Sequence, residues 1–185
     1  MVSRAAAFGG DVKWRAHASS SAPAPEGFAA WFADPASPVD EAIVAANDAI
    51  SGTKSLGGGR FEATVRGAKF PLVELTPTMT FTCARVDAQS VRITLDAQEM
   101  RATGPAWATK IIVRMASIMD TASTSTFRVA DGVLNCEADV EASFTVPRWV
   151  PVPLAAIQDG GANAIQKQVD ADAAAMVANL LKSGR

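Results

Sequence analysis

The chain has 185 residues, of which 49% are hydrophobic, and a formal net charge of −2. This length suits one domain with a core of its own, and the composition excludes a disordered polypeptide. Its slight acidity (sequence pI near 5.4) provides no basic face for phosphate backbones, so we expect no nucleic-acid partner.

Residue types that commonly carry catalysis or bind metals are scarce. The chain has two cysteines, Cys83 and Cys136, one histidine, His17, and no tyrosine. Two cysteines are too few for a disulfide framework and lack the paired spacing of a zinc site, although a pairing across a sheet stays open. No apolar run approaches the roughly eighteen residues of a membrane span. We predict a non-enzymatic protein without a metal or a transmembrane segment, and peripheral membrane association stays open.

We expect a flexible tail over residues 1–10 and a single domain over residues 11–185. In the tail, Ala5-Ala6-Ala7-Phe8 resembles the processing junction of proteins sent to red-lineage secondary plastids. The alternative is an ordinary disordered tail.

The domain should begin with a strand, because apolar and polar residues alternate there with a period of two. The apolar members are Val12, Trp14, Ala16 and Ala18. A short helix should follow, with Pro25 in its first turn, an aromatic face over residues 28–32 and an end at Asp34-Pro35.

A second short helix is predicted with Ser37 as its N-cap, Pro38 at its first helical position and Gly52 at its end. Its buried side would be formed by Val39, Ile43, Ala46 and Ile50. Residues 57–59 are three glycines, but a strand pattern follows them. A phosphate loop needs a helix there, so we interpret the glycines as a loop that leads into the sheet.

Strand patterns then follow one another as far as Val146. Alternation predicts strands over residues 61–65, 78–83, 91–95 and 124–129, and a proline in the run 70–75 indicates an edge or a bulge. The apolar run formed by Trp107, Ile111, Val113 and Met115 predicts one more strand. Asp131-Gly132 is typical of a type I′ hairpin turn.

The clearest strand covers residues 134–146, where six or seven alternations predict one dry face and one wet face. A proline-rich elbow then leads to a long helix over residues 154–181. Apolar residues recur there in steps of three or four, at Leu154, Ile157, Gly161, Ile165, Val169, Ala173, Met176 and Leu180. Gly160-Gly161 predicts close packing on the sheet or a kink.

This order of elements resembles the helix-grip fold of the START and birch-pollen-allergen-like (SRPBCC) superfamily. The resemblance rests on residues 12–16, 23–28 and 32–35. From Gly59 onward the chain resembles a family catalogued only as a domain of unknown function, which occurs in cyanobacteria and plastids. Its matching features are Gly58-Gly59-Arg60-Phe61, Leu75-Thr76-Pro77, and Val146-Pro147 to Pro153-Leu154.

The resemblance implies an α+β fold in which a curved antiparallel sheet of six or seven strands wraps around the long C-terminal helix. It also implies a plastid location, in the chloroplast stroma or on the stromal face of the thylakoid, and a cavity for an apolar ligand such as a lipid or pigment. The inward apolar residues would form either a fully packed core or that cavity. The candidates are Phe61, Val65, Met79, Phe81, Ile93, Leu95, Ile111, Val113, Leu134, Val140, Phe144, Ile165, Val169 and Met176.

The polar candidates favour structure over chemistry. His17 lies on the polar side of its strand, and Ser123 to Thr126 offer hydroxyls without a base to activate them. Glu137, Asp139 and Glu141 should share a solvated strand face that could meet a basic partner. With Trp149 in the elbow, these acids are our candidates for a partner surface. The alternative function is therefore an accessory or assembly subunit docked on a photosynthetic membrane complex, such as photosystem I.

Overall fold

The computed structural model describes residues 9–65, 68–69, 74–107, 109–110, 120–146, 148 and 153–184. The elements are β1 (Gly10–Pro23), α1 (Phe28–Ala33), α2 (Val39–Ala45), β2 (Ile50–Gly57), β3 (Arg60–Val65), β4 (Ala68–Lys69), β5 (Glu74–Asp87), β6 (Ser90–Thr103), β7 (Asp120–Ala130), β8 (Val133–Val146) and α3 (Leu154–Ser183).

All strand pairings are antiparallel, and seven strands form a continuous path in the order β1-β8-β7-β6-β5-β3-β2. The short β4 pairs with β5 beside that path. The curved sheet, the two short helices after β1 and the long C-terminal helix together form the helix-grip fold that the sequence predicts.

β8 confirms the strongest alternation in the sequence. Its inward side chains at Leu134, Cys136 and Ala138 are buried, while Glu137 and Asp139 on the opposite face are exposed. The preceding turn is also as predicted, because Asp131 and Gly132 have φ of 52° and 72°, the left-handed values that a type I′ turn requires.

The main core lies between the inner face of the sheet, α1, α2 and α3. Aromatic rings from α1 and β7 fill its centre, and α3 closes one side. Its largest fully buried side chains include Phe28, Phe32, Phe127, Ile43, Leu134 and Leu180. Burial of side chains of this size stabilises the fold by about 1.5–3 kcal/mol for each residue.

The second helix is shorter than predicted. α2 ends at Ala45, and Ile50 begins β2, which also contains Gly52. Asn47 produces the turn, since its Oδ1 accepts a hydrogen bond from the N–H of Ala49 at 2.9 Å. Ile50 continues the helical spacing in the sequence, yet in the fold it belongs to the edge of the sheet.

The predicted cap of α2 is also wrong. Pro38 occupies the N-cap position and no side chain caps the helix, so Ser37 lies one residue earlier. The backbone satisfies the first turn in part, because the N–H of Val39 donates to the carbonyl of Ser37 at 2.8 Å.

Trp107 does not belong to a strand as predicted. Residues 106–107 and 109–110 are helical, and the N–H of Thr109 donates to the carbonyl of Pro105 at 3.0 Å. Pro105 suits the start of a helix, because the N–H that proline lacks would have no intrahelical acceptor there. The other members of that predicted strand, Ile111, Val113 and Met115, lie outside the described residues.

Cys83 and Cys136 are free thiols. They lie on β5 and β8, which are separated by β6 and β7. Three strand spacings amount to about 14 Å, whereas a disulfide requires Cα atoms within about 7 Å. A pairing of these cysteines across the sheet is therefore excluded.

Candidate functional site: the cavity between the sheet, α2 and α3

Helix α3 lies along the edge strand β1 and its neighbour β8. The two halves of the helix are attached differently. The C-terminal half (residues 169–183) buries Val169, Ala173, Val177 and Leu180, whereas no residue of the N-terminal half (residues 154–168) is fully buried. Hydrophobic burial therefore fixes only the C-terminal half.

Two glutamines attach the N-terminal half to the free edge of β1. The side-chain amide of Gln158 donates to the carbonyl of Lys13 at 2.6 Å, and its oxygen accepts the N–H of Lys13 at 3.3 Å. Gln166 makes the same pair of bonds with His17, at 2.7 and 3.3 Å. Eight residues of helix rise about 12 Å and four residues of strand about 13 Å, so the two spacings match. The side-chain amides thus form hydrogen bonds that these backbone groups of β1 would otherwise make with a neighbouring strand.

Gly161 packs directly on Trp14, which confirms the close packing that the sequence predicts as one of two possibilities. A Cβ at residue 161 would overlap the indole ring, whereas one at Gly160 would meet no atom within 4 Å. The indole Nε1 of Trp14 donates to the carbonyl of Gln158 at 3.1 Å. The ring also meets Phe144 edge-on, with centroids 4.8 Å apart. The glycine therefore allows the helix to lie against the aromatic pair.

A cavity of about 80 Å³ lies between α2, the central strands and α3. Its apolar wall comes from α2, β2, β5, β6 and α3, and it is partly open. The apolar lining residues are Val44, Ile50, Phe81, Ile93, Leu95 and Met176. Ligand pockets for drug-sized molecules measure roughly 300–1,000 Å³. The cavity thus has room for one ring or chain end rather than for a whole lipid.

Three polar side chains complete the cavity wall: Asn47, Ser123 and Ser125. The serines lie on the inward face of β7, next to the buried Phe127 and Val129. No charged side chain occurs among the described lining residues. Sequence reasoning noted the serine hydroxyls only as nucleophiles without a base. Their period of two with Phe127 and Val129 is the signal that could have placed them inside.

The predicted cavity residues separate into three groups. Phe81, Ile93, Leu95 and Met176 line the cavity. The second group is buried or half-buried and is not part of the cavity lining: Phe61, Val65, Met79, Leu134, Val140, Phe144, Ile165 and Val169. Ile111 and Val113 lie outside the described residues. Packed core and cavity therefore coexist, and only part of the apolar set lines the cavity.

Side chains of β1 contact two of the three acids on the outer face of β8. Glu141 pairs with Lys13 and, at 2.8 Å, with Arg15, and the hydrogen bonds from these two groups lower the pKa of Glu141. His17 Nδ1 lies 2.9 Å from Asp139 Oδ1. Asp139 becomes a neighbour of His17 only through the β1–β8 register, so the sequence alone does not reveal this pair. Glu137 is exposed, and Trp149 lies outside the described residues.

The two thiols lie in the core. Burial raises the pKa of Cys83 and of Cys136 from 9.0 to about 12, with smaller effects from neighbouring carboxylates. Such thiols stay protonated at neutral pH and are poor nucleophiles or metal ligands. Among the described residues, no cluster of three or more His, Cys, Asp or Glu side chains could hold a metal ion.

No helix in the described part of the chain combines the length and the hydropathy that a membrane crossing needs.

Comparison with known proteins identifies similar folds and no family. No protein-family model matches the chain. No curated protein matches it either. Solved structures with a similar fold include a protein of Thermus thermophilus, at 10% identity and a TM-score of 0.49, over 92% of this chain and 96% of that one.

Norcoclaurine synthase from Thalictrum flavum is similar at 12% identity and a TM-score of 0.45, over 94% of this chain and 87% of that one. Ara h 8.0201 is similar at 16% identity and a TM-score of 0.42, over 93% of this chain and 97% of that one. At these values the similarity concerns the course of the backbone. The fold assignment rests on the element order and strand pairing described above.

Proposed function

We propose that this protein binds an apolar small molecule, such as a lipid or pigment, without catalysing a reaction. The observation that carries this proposal is the cavity under Met176, whose wall is apolar apart from three neutral polar groups. Because it holds about 80 Å³, one ring or chain end would occupy it and the rest of the ligand would extend through its open side.

Met176 makes this cavity adaptable. It is half-buried at the edge of the packed core, and its flexible thioether side chain can change rotamer to admit a ligand. Phe81 and Leu95 oppose it from β5 and β6, where they are paired across the strands. The sheet therefore supplies one wall, and the Met176 side chain on the firmly held half of α3 supplies the adaptable one.

The composition of the cavity wall supports the non-catalytic part of this proposal. Its polar groups are two hydroxyls and one amide, and general acid–base catalysis needs a group that titrates near the working pH. His17, the single histidine of the sequence, lies on β1 with an exposed side chain.

The test is a titration with benzene, followed through the methyl signal of Met176 in protein labelled with [¹³C-methyl]methionine. We expect a saturable shift of this signal. Leu95→Phe, which fills the cavity, should abolish the shift, while Leu56→Phe at a site 44% exposed should leave it unchanged. Native mass spectrometry of protein from its natural source should also show an added mass that organic extraction removes. A Met176 signal insensitive to benzene, together with a clean apo mass, would contradict the proposal.

The plastid setting and docking on a photosynthetic membrane complex stay the alternative prediction. One support for it is weakened, because Asp139 and Glu141 are engaged by β1 rather than free for a basic partner. Co-migration of the protein with thylakoid complexes on a native gel would favour this alternative.

A further inference from the structure

Two hydroxyls face the cavity from the inward side of β7, which continues with the buried Phe127 and Val129. Ser123 and Ser125 are successive inward positions of β7, about 7 Å apart along the strand. Their cross-strand partners on β8 are Val140 and Ala138, and Ser125 is also opposite Ile93 on β6. These three neighbours have apolar side chains and offer the hydroxyls no hydrogen-bond partner.

The polar groups of this wall are not used by the protein itself. Within the described residues, neither serine hydroxyl takes part in a hydrogen bond. Asn47 uses its side-chain oxygen to accept the N–H of Ala49 at 2.9 Å. That bond fixes the amide orientation, so the remaining group is the NH₂, which only donates. One NH₂ group and two hydroxyls are therefore available to a ligand.

The same wall excludes a charged ligand group. Among the described residues, no lysine, arginine, aspartate or glutamate lines the cavity, and burial of an ionised group without a partner is costly. A neutral oxygen has no such cost, because hydroxyls and an amide can hydrogen-bond to it. We infer that the ligand presents an uncharged hydroxyl or carbonyl oxygen on an apolar skeleton, and that Ser123, Ser125 and Asn47 bind this oxygen. This inference rests on the proposed function.

Three probe molecules with one benzene ring each distinguish a neutral polar, an apolar and an anionic ligand: phenol, toluene and benzoate. Their dissociation constants are measured by calorimetry and by the Met176 methyl signal, in the unsubstituted protein and in the double variant Ser123→Ala/Ser125→Ala. In the double variant, we expect the dissociation constant of phenol to rise by about fivefold for each hydrogen bond lost. The dissociation constant of toluene should stay unchanged or fall. Benzoate should show no saturable binding to either protein.

Matched variants control for indirect effects. Thr124 lies between the two serines on the opposite face of β7, so Thr124→Ala should change neither constant. Ser125→Thr retains the hydroxyl and should keep the preference of the unsubstituted protein. Unfolding curves of all variants establish that each is folded at the titration temperature.

The outcomes separate the two proposals. If the double variant changes the phenol and toluene constants by the same factor, the hydroxyls do not select the ligand and this inference is wrong, while the proposed function stands. The same holds if benzoate binds more tightly than phenol. If neither phenol nor toluene affects Met176 in the unsubstituted protein, ligand binding in this cavity fails as a whole.

Discussion

The two halves of helix α3 are held to the same sheet by different forces. The C-terminal half buries four apolar side chains in the core, and the N-terminal half is held by two glutamines and by the contact of Gly161 with Trp14. Burial of apolar surface is worth more than an exposed hydrogen bond, which contributes only about 0.5–1.5 kcal/mol net. The C-terminal half thus maintains the fold, and the N-terminal half can separate from the sheet at a smaller cost. The cavity borders the firmly held half, through Met176.

The largest expected effect is on the rate at which Cys136 reacts with thiol reagents. This residue lies in the core that the C-terminal half of α3 closes. With a pKa raised from 9.0 to about 12, the thiolate fraction at pH 8 is lower by roughly a thousandfold than in an exposed cysteine. We expect labelling by iodoacetamide to be slower by at least this factor in the folded protein. Labelling at the rate of an unstructured cysteine peptide would show that the packed half opens easily.

The same pKa shift makes stability depend on alkaline pH. The folded state keeps the Cys136 proton more tightly than the unfolded state, so its contribution is complete below about pH 9 and decreases as pH rises towards about 12. Chemical denaturation between pH 8 and 11 should show this decrease. Cys136→Ala should reduce the slope, and an unchanged slope would assign the effect to other groups.

Leu180 should be the residue of α3 whose truncation costs most. It is fully buried at the C-terminal half, and Leu180→Ala should lower the free energy of unfolding by about 2–5 kcal/mol. The neighbouring Leu181 is only half-buried, so Leu181→Ala is the matched control with a smaller loss. Equal losses would mean that burial does not distinguish these positions, and the comparison between the halves would lose its basis.

Substitution of the two adjacent glycines of α3 by alanine should change the free energy of unfolding in opposite directions. Gly161→Ala places a Cβ into the Trp14 ring, and such overpacking costs about 1–3 kcal/mol. Gly160→Ala meets nothing within 4 Å and should stabilise the helix by up to about 1 kcal/mol. Thermal unfolding and tryptophan fluorescence measure both effects. Stabilisation by both substitutions would show that the N-terminal half is not seated on Trp14.

The smallest effect on global stability is expected for Gln166→Ala. The variant loses both side-chain bonds to the backbone of His17, so the amide of residue 17 should exchange with deuterium faster while the midpoint of unfolding moves little. Gln168 bonds only to Asp172, one helical turn away, and Gln168→Ala is the control. Unchanged exchange at residue 17 would show that the glutamine does not protect the edge of β1.

The sequence predicted the parts of the fold that depend on local periodicity. β8 was clear because its alternation is unbroken, and α3 was clear because of its length. β2 was missed because its residues are mostly Ser, Thr, Lys and Gly and seven of its eight positions are exposed, so it has no apolar period. Val177 was missed on α3 because the neighbouring Met176 also fits the spacing of the apolar helix face. Only the packing shows that Val177 is fully buried and Met176 half-buried.

The site was harder to predict, because it depends on which strands become neighbours. Phe81, Ile93, Leu95 and Met176 were among the predicted residues, but nothing local distinguished them from equally apolar residues such as Leu134, which is fully buried. The pairs formed by the glutamines with β1, and by His17 with Asp139, join residues far apart in the chain. Such contacts have no signature in a single sequence.

The pairing of β1 with β8 has a consequence for biosynthesis. Pro23 pairs with Val133 and Gly10 with Val146, so β1 leaves the ribosome before β2 to β7 and must wait for its partner β8 and then for α3. Contacts between residues so distant in the chain slow folding, since the connecting segment must be ordered first. During synthesis the apolar face of β1 remains uncovered until α3 emerges, and this interval is when a chaperone would be needed most.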